Sequence, residues 1–486
     1  FFGTIFRRGP WPLLFRRMEA TLKNEPPAAV PATEDAAPPA KEKKEKKPKE
    51  KKAKDAGKPT MIETQSVKGT RDFPPEQMRQ RNWLWGLWRQ TARKFAFDEY
   101  DAPILEEETL YKRKAGEEIA DQIYNFVTKD DTKVSLRPEM TPSLARLVLQ
   151  KGKALILPAR WYTIAQCWRF EAIQKGRRRE HYQWNMDIIG CKFVTAEAEL
   201  IAALVDFCKA TGLTAKDVCI KVNSRKILQR VLQAQGIDGE QFGKVCVVVD
   251  KLEKITPAEV QAELEALDLT TETALKIIKI LSSGTLEDVK AELEEGDEYV
   301  KEIEQFFEMM EAYGCKDWVQ FTPSVVRGLV YYTGIVFEGF DRRGGRAIFG
   351  GGRYDELLTK FGAPTPIPCC GFGFGDCVIM DVLGDRKLLP ALGSAVEDIV
   401  IPWNESMRNQ AVEVATKLRG QGRQVDIVLD ARRVKNAFSY ADRIGAIRAI
   451  FIAPDEWSRG EVKVKDLRKS EGDADHEVTV KFEDLQ

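Results

Sequence analysis

Histidine is nearly missing from this chain: its 486 residues include only His181 and His476. A Ser-His-Asp triad, a histidine-rich metal site and an H-E-x-x-H helix all need imidazoles that such a sequence hardly supplies. Nine cysteines occur, an odd number, and no two stand in a C-x-x-C pair. That argues against a disulfide framework and a structural zinc site, and for a reducing compartment. No apolar run approaches the roughly 18 residues of a membrane span. There is no net charge either, with 75 Lys and Arg against 75 Asp and Glu. Whatever chemistry occurs must rest on Arg, Asp, Glu, Gln, Tyr and backbone groups.

What is present describes an ordinary soluble protein with room for a large core: 43% hydrophobic and 31% charged residues. The length suits two to four domains. The charge balance hides an asymmetry, because residues 1–60 hold 15 Lys and Arg but 8 Asp and Glu. "FFGTIFRRGPWPLLFRR" has four arginines and no acid, as organelle transit peptides do. The chain starts without Met and Met18 is a candidate start, so a misread leader stays open beside a targeting signal. The Pro- and Ala-rich stretch 24–40 and the lysine tract "KEKKEKKPKEKKAK" lack core-forming residues and are expected to be disordered. A solubilising tail and a non-specific polyanion arm both fit that tract.

Folding is expected to begin near Thr64. The pattern predicts a turn at Asp72-Phe73-Pro74-Pro75, then a helix with Leu84, Leu87, Trp88, Ala92 and Phe95 on its apolar face. A strand containing Pro103 is expected next, at an edge or bulge where a partner subunit fits. "ARWYTIAQCWRFE" and "HYQWNMDIIG" read as two antiparallel strands joined by a basic loop. Alternation puts His181, Gln183, Asn185 and Asp187 on one face with Arg169 and Glu171. Tyr182, Trp184, Met186, Ile188, Trp168 and Phe170 take the other, expected to be the core face. A solvated sheet face explains the polar row equally well. Residues 195–212 and 225–312 read as helical, the latter as an inserted acidic module whose stripes need only solvation. "VVRGLVYYTGIVFEGF" reads as a strand after Gly328, and "AIFGGGRYDELLTKFG" as a glycine turn leading into a helix. The last part, from about 396, reads as a small α/β domain of parallel strands with crossover helices.

"CCGFGFGDC" (369–377) invites a nucleotide reading, but the dinucleotide fingerprint needs G-x-G-x-x-G and position 376 is Asp376. The spacing reads instead as a strand with a helix after it. Glycine then stands where backbone and ligand come near, and Phe faces the core.

Several of these segments in one order resemble one family. The hairpin "CWRFE…QKGRRREHYQWNMDIIG", "LRPEMT" (136–141), "RGLVYYTG" (327–334) and "GGRYDEL" (351–357) are similar to signatures of histidyl-tRNA synthetases, class II aminoacyl-tRNA synthetases. The resemblance spans about 66–480. It implies an α+β catalytic core on a mainly antiparallel sheet, with an inserted helical module and a C-terminal α/β domain. The domains it implies are a disordered basic extension (1–62), a catalytic domain (63–395) with its helical insertion (225–312), and an anticodon-binding domain (396–486). The implied reaction makes histidyl-adenylate from L-histidine and ATP, with Mg²⁺ on the triphosphate and no protein metal site, then charges tRNA(His). A cytoplasmic homodimer is implied, not membrane-bound, with the N-terminal segment leaving a mitochondrial form open.

By the same resemblance Arg169 grips the α-phosphate, Glu171 contacts adenine, and Arg177 holds the terminal phosphates. The planar arginine fork suits phosphate. Gln183 is implied at both ATP and histidine. Glu139, Thr141 and Gln183 would hold the α-amino group, Asp187 the imidazole, and Tyr332 and Tyr354 the ring pocket. Gln174 would meet the tRNA acceptor end. Such a pocket can reject other amino acids by roughly 10⁴-fold without editing. Arg327 would join the histidine carboxylate to the α-phosphate and, with Arg169, carry the chemistry. No general base is needed, because the carboxylate is already ionised. His181 matches no catalytic position and reads as structural.

The sequence departs from the family after the glycine strand, where Val378 stands at the position of an expected ATP-binding arginine. Arg177, Arg178, Arg179 and Arg353 are the candidate replacements. The departure keeps a second reading open, a non-catalytic paralogue with a regulatory or tRNA-sensing role. Against it stand the retained Arg169, Glu171 and Arg327 and the complete C-terminal segment.

Overall fold

The structure, a computed structural model, describes residues 62–112, 121–252, 255–282, 285–327, 331–394, 396–430, 432–470, 473 and 476–486. The transit-like segment and lysine tract expected within 1–62 lie outside the described residues up to position 61, as do positions 328–330 of "RGLVYYTG". The chain divides between Thr64 and Gln65 into two units.

The second unit opens with the helix Pro75–Lys94, where Pro75 fits because its missing N–H has no partner to lose at a helix start. Leu84, Trp88, Thr91 and Ala92 recur at helical spacing and are buried. The strands follow as β1 (Asp98–Glu99), β2 (Leu105–Glu107), β3 (Tyr124–Val127), β4 (Lys133–Leu136), β5 (Ala159–Trp168) and β6 (Glu180–Ile189). Next come β7 (Val218–Ser224), β8 (Val319–Phe321), β9 (Ile335–Asp341), β10 (Ala347–Arg353) and β11 (Cys369–Gly375). The main sheet has eight strands in the order β1-β5-β6-β11-β10-β9-β7-β8. It is antiparallel except for the β1–β5 and β7–β8 pairs at its edges. β2, β4 and β3 form a separate small sheet.

The helices Pro75–Lys94 and Thr195–Ala210 cover one face of the main sheet. Trp88 stacks on Trp184 at 5.9 Å, and Phe207 meets Phe374 edge-on at 5.1 Å. The aromatic row expected to face the core does so at Trp184, Met186 and Ile188. It fails at Phe170: β5 ends at Trp168, and Phe170 is half exposed with the Arg179 guanidinium 3.9 Å over its ring.

Three further expectations need correction. Pro103 lies in irregular chain between β1 and β2 rather than in a strand. The strand expected after Gly328 begins only at Ile335, and Tyr331–Gly334 are irregular. Gly350, Gly351 and Gly352 form no turn but sit inside β10, paired with Gly373, Phe372 and Gly371 of β11. Within 225–312 the described residues form helices at Arg225–Gln233, Gly239–Val249, Pro257–Glu265, Thr271–Ser282, Leu286–Lys290 and Glu298–Ala312.

Beyond Glu397 the strands are β12 (Asp398–Pro402), β13 (Val425–Ile427), β14 (Arg448–Ile452), β15 (Glu461–Asp466) and β16 (Glu477–Lys481). β13, β12 and β14 run parallel, as expected. β15 and β16 extend the sheet antiparallel, which the reading as all parallel strands did not include.

Candidate active site

The open face of the main sheet carries the polar row. β11 pairs with β6 so that Gly371, Gly373 and Gly375 stand opposite Asp187, Asn185 and Gln183. Phe372 and Phe374 stand opposite Met186 and Trp184 and are buried in the core. The glycines leave space for neighbouring side chains. A Cβ on Gly371 would fall on the Asp187 carboxylate, and one on Gly373 would come within 2.6 Å of Gln183 Nε2. A Cβ on Gly350 would overlap the Arg327 guanidinium.

Above this floor lies a cavity of about 70 Å³. Glu139, Thr141, Arg169, Gln183, Asp187, Arg327, Tyr332 and Tyr354 all line it, so one chamber gathers residues spread over more than 200 positions. Two of them are acids, Glu139 and Asp187, and two are arginines, Arg169 and Arg327. Each is placed by its own support. Arg169 Nε donates to the Pro138 carbonyl at 3.0 Å, which ties the hairpin to "LRPEMT". Arg137 stiffens that segment by donating to the carbonyls of Gln166 and Ala102 at 2.8 and 2.7 Å. Buried Glu139 then leads into the helix Thr141–Lys151, whose first residue is half-buried. Tyr354 donates its hydroxyl to Asp187. Burial first, and the Asp187 charge next, push the Tyr354 hydroxyl far above its usual pKa, so it stays a donor.

Arg327 is held in the left-handed region at φ 55°. A non-glycine residue there costs about 1–2 kcal/mol, and such conformations cluster at functional sites. Its Nη1 donates to Glu338 Oε1 at 2.8 Å, its guanidinium lies 5.6 Å from the Tyr332 ring, and its buried Nε has no hydrogen-bond partner among the described residues. Burial opposes its charge, but Tyr332 and Glu338 more than offset that and hold its pKa above the ordinary value.

Two lining residues were missed as site residues. Asn185 was placed on the polar face but given no role; it is buried in the cavity wall with Oδ1 unpartnered. Tyr331, one position from Tyr332, was visible only as half of a Tyr-Tyr pair; it too lines the cavity.

Glu171, Gln174 and Arg177 lie outside that lining, in the loop between β5 and β6. Gln174 and Arg177 exchange backbone hydrogen bonds at 3.1 and 3.0 Å around Gly176, whose φ is 72°. Arg177 pairs with the buried Glu171 carboxylate. Of the candidate replacements for the missing arginine, Arg178 is exposed and Arg179 stacks on Phe170. Arg353 is excluded. It is buried under the sheet, bonded to both Glu197 oxygens at 2.6 Å and to the carbonyls of Cys191 and Phe193 at 2.8 and 3.0 Å. The periodicity of a single segment could not show this, because Glu197 is 156 residues away.

Asp376, the residue that broke the dinucleotide fingerprint, is buried and pairs with Arg71 at 2.9 Å. Arg71 also reaches Glu180 at 2.7 Å, and Asp376 accepts from the Tyr182 N–H at 3.1 Å. This network ties the segment before the first helix to the hairpin and to the helix Asp376–Asp385. Burial, with Arg169, Arg71 and Arg177 nearby, lowers the His181 pKa to about 3. Its imidazole is therefore neutral at ordinary pH. Among the described residues, no three His, Cys, Asp or Glu side chains converge as metal ligands. No helix of the described residues is long and apolar enough to cross a membrane.

Residues 69–375 match the family model for histidyl-tRNA synthetase, and residues 399–486 match that for an anticodon binding domain. A chloroplastic/mitochondrial histidine–tRNA ligase of Arabidopsis thaliana is 48% identical over 87% of this chain and 86% of that protein. A histidine–tRNA ligase of Opitutus terrae is 38% identical over 84% of this chain and 94% of its own length. In three dimensions the chain is similar to a histidyl-tRNA synthetase from Nostoc, with a TM-score of 0.73 at 23% identity. That likeness covers 87% of this chain and 99% of the other.

Proposed function

The chain belongs to the histidyl-tRNA synthetase family, and from that premise we propose that its cavity joins L-histidine to ATP and passes the product to tRNA(His). The observation that carries this reading is that one cavity is lined by two acids, Glu139 and Asp187, and by two arginines, Arg169 and Arg327. A zwitterionic amino acid fits it, ammonium and imidazole toward the acids and carboxylate toward the arginines.

In the first step a histidine carboxylate oxygen attacks the α-phosphorus. The new bond is C–O–P, the α–β phosphoanhydride breaks, and pyrophosphate leaves. Arg327 and Arg169 stabilise the charge that gathers on the α-phosphoryl oxygens. The nucleophile is already ionised, so the neutral His181 need not move a proton. Glu139, Thr141 and Gln183 orient the ammonium group; Asp187, braced by Tyr354, and Tyr332 enclose the ring. Asn185 Oδ1 offers a further acceptor. Glu171 and Arg177 part to take adenine and the terminal phosphates, and Gln183 also borders ATP. Magnesium enters as counter-ion of the triphosphate, as part of the substrate. In the second step a ribose hydroxyl of the tRNA 3′-terminal adenosine attacks the histidyl carbonyl and AMP leaves, with Gln174 at the acceptor end.

Residues 63–395 serve catalysis, 225–312 are its helical insertion, and 396–486 bind the anticodon. The molecule works as a homodimer. The short edge strand β1 and the exposed Ile104, Leu105, Phe126 and Val127 nearby in sequence supply an apolar surface for a second copy. The arginine-rich first 17 residues direct an organellar form; the name of the Arabidopsis relative supports this. The purified chain is expected to charge tRNA(His) transcript with histidine and with no other amino acid. Charging by a different amino acid at a comparable rate overturns the reading.

A further inference from the structure

Val378 leaves the triphosphate without its expected cation, and the structure shows what lies over it. The tight turn at Gly176 sits on the helix Asp376–Asp385. The Cβ position of Gly176 is 3.0 Å from Val378 Cγ2, 3.7 Å from Arg346 Cδ and 4.0 Å from Asp381 Oδ2. Arg346 reaches this point from the residue just before β10. It was not among the candidate replacements read from the sequence.

The charges around the turn are mostly matched. Arg177 pairs with Glu171, and Lys175 with Asp385 at 3.2 Å. Arg346, like Arg178 and Arg179, has no carboxylate within ion-pair distance among the described residues, and its Nη2 donates at 2.8 Å to Gln174 Oε1, a neutral amide. Partial burial, and then repulsion from Arg177, lower its pKa, while Glu171 partly offsets this. Two guanidinium groups that repel one another therefore flank one glycine turn, where the Glu171 carboxylate is paired with Arg177 and Asp381 lies on the helix side. A multiply charged anion relieves that arrangement, and bidentate arginine contacts are well suited to phosphate oxygens. Arg346 is four residues from Gly350, whose surface Arg327 occupies, or about 13 Å along an extended strand. The terminal phosphates of a nucleoside triphosphate held at its α-phosphate by Arg169 and Arg327 extend part of that way, and the long Arg346 side chain spans the rest.

Building on the functional reading above, we propose that Arg346 is a binding residue for the terminal phosphates of ATP. It takes, from the strand side, the place that Val378 leaves empty on the helix side. With ATP bound, Arg346 exchanges Gln174 for phosphate oxygens and frees Gln174 at the loop tip.

The test measures MgATP affinity by calorimetry, and ATP–pyrophosphate exchange, on the full-length chain and its variants. Arg346→Ala is expected to weaken MgATP binding and raise the KM for ATP by about tenfold or more, a loss of about 1.4 kcal/mol. The KM for histidine should stay close to wild type. Arg346→Lys should retain part of the affinity, and Val378→Arg in the Arg346→Ala background should regain part of it. An Arg346→Ala protein with MgATP affinity and KM within twofold of wild type overturns the proposal. If that protein instead shows only a raised KM for tRNA, Arg346 serves the tRNA phosphates and the proposal falls. Calorimetry separates this result from failure of the enzymatic reading. A wild type that binds MgATP without exchanging overturns the reaction, while its affinity relative to Arg346→Ala still decides the role of Arg346.

Discussion

Replacing Arg327 by alanine is expected to lower the rate of histidine-dependent ATP–pyrophosphate exchange by about 10³-fold, with the fold intact. The side chain lines the cavity and lies over Gly350. Its Nη1 is occupied by Glu338, but its buried Nε has no partner among the described residues and can donate to an anionic ligand. Stability should change little, because the left-handed φ relaxes when the guanidinium no longer has to be held. A companion variant sharpens the test. Gly350→Ala places a methyl group on the far end of this flexible side chain, so it should displace the guanidinium without unfolding the sheet. Gly351→Ala, one residue on, meets the Gly371 carbonyl and lies 2.7 Å from both Phe337 Cζ and Phe372 Cβ. That variant should fail by destabilisation instead. Exchange rates read beside urea midpoints distinguish the two failures. Near-normal exchange by Arg327→Ala would remove this arginine from the chemistry.

Replacing Arg353 by alanine is expected to destabilise the fold by about 3–5 kcal/mol. Arg353 and Glu197 are both almost fully buried and share two bonds at 2.6 Å beneath β10. Removing the arginine strands a carboxylate in the core and frees the carbonyls of Cys191 and Phe193. The double variant Arg353→Met with Glu197→Met should lose less than either single change, because no charge is left unpaired. Urea unfolding of the three proteins measures this. A single variant as stable as wild type would contradict the buried-pair account and reopen Arg353 as a ligand for ATP.

Much of the site was legible because strands repeat every two residues. The row Gln183, Asn185, Asp187 and its aromatic counterpart Trp184, Met186 follow directly from that period, and the structure keeps them on opposite faces. The period misled at Phe170 because β5 stops at Trp168; a strand's end is set by pairing with its neighbours rather than by its own residues. Three consecutive glycines in "FGGGR" carry the local signature of a turn. Here they pair with β9 and β11 as strand residues, and the Gly371 and Ile335 carbonyls and the Arg327 side chain come too close for any Cβ. β15 and β16 were missed because "EVKVKD" and "EVTVK" are half-exposed and follow no crossover pattern. Arg353 and Arg346 were misjudged for one reason. Whether an arginine is held in a core or presented at a site depends on partners far along the chain, Glu197 for one and Gln174 for the other. The nucleotide reading that "CCGFGFGDC" invites is resolved likewise. Its glycines face Asp187 and Gln183, and its Asp376 holds Arg71.

The most direct measurement is ATP–pyrophosphate exchange by the purified full-length chain, with and without L-histidine. The account predicts exchange that depends on histidine and that no other amino acid supports at a comparable concentration. No exchange at saturating histidine and MgATP, from protein shown to be folded, would contradict it.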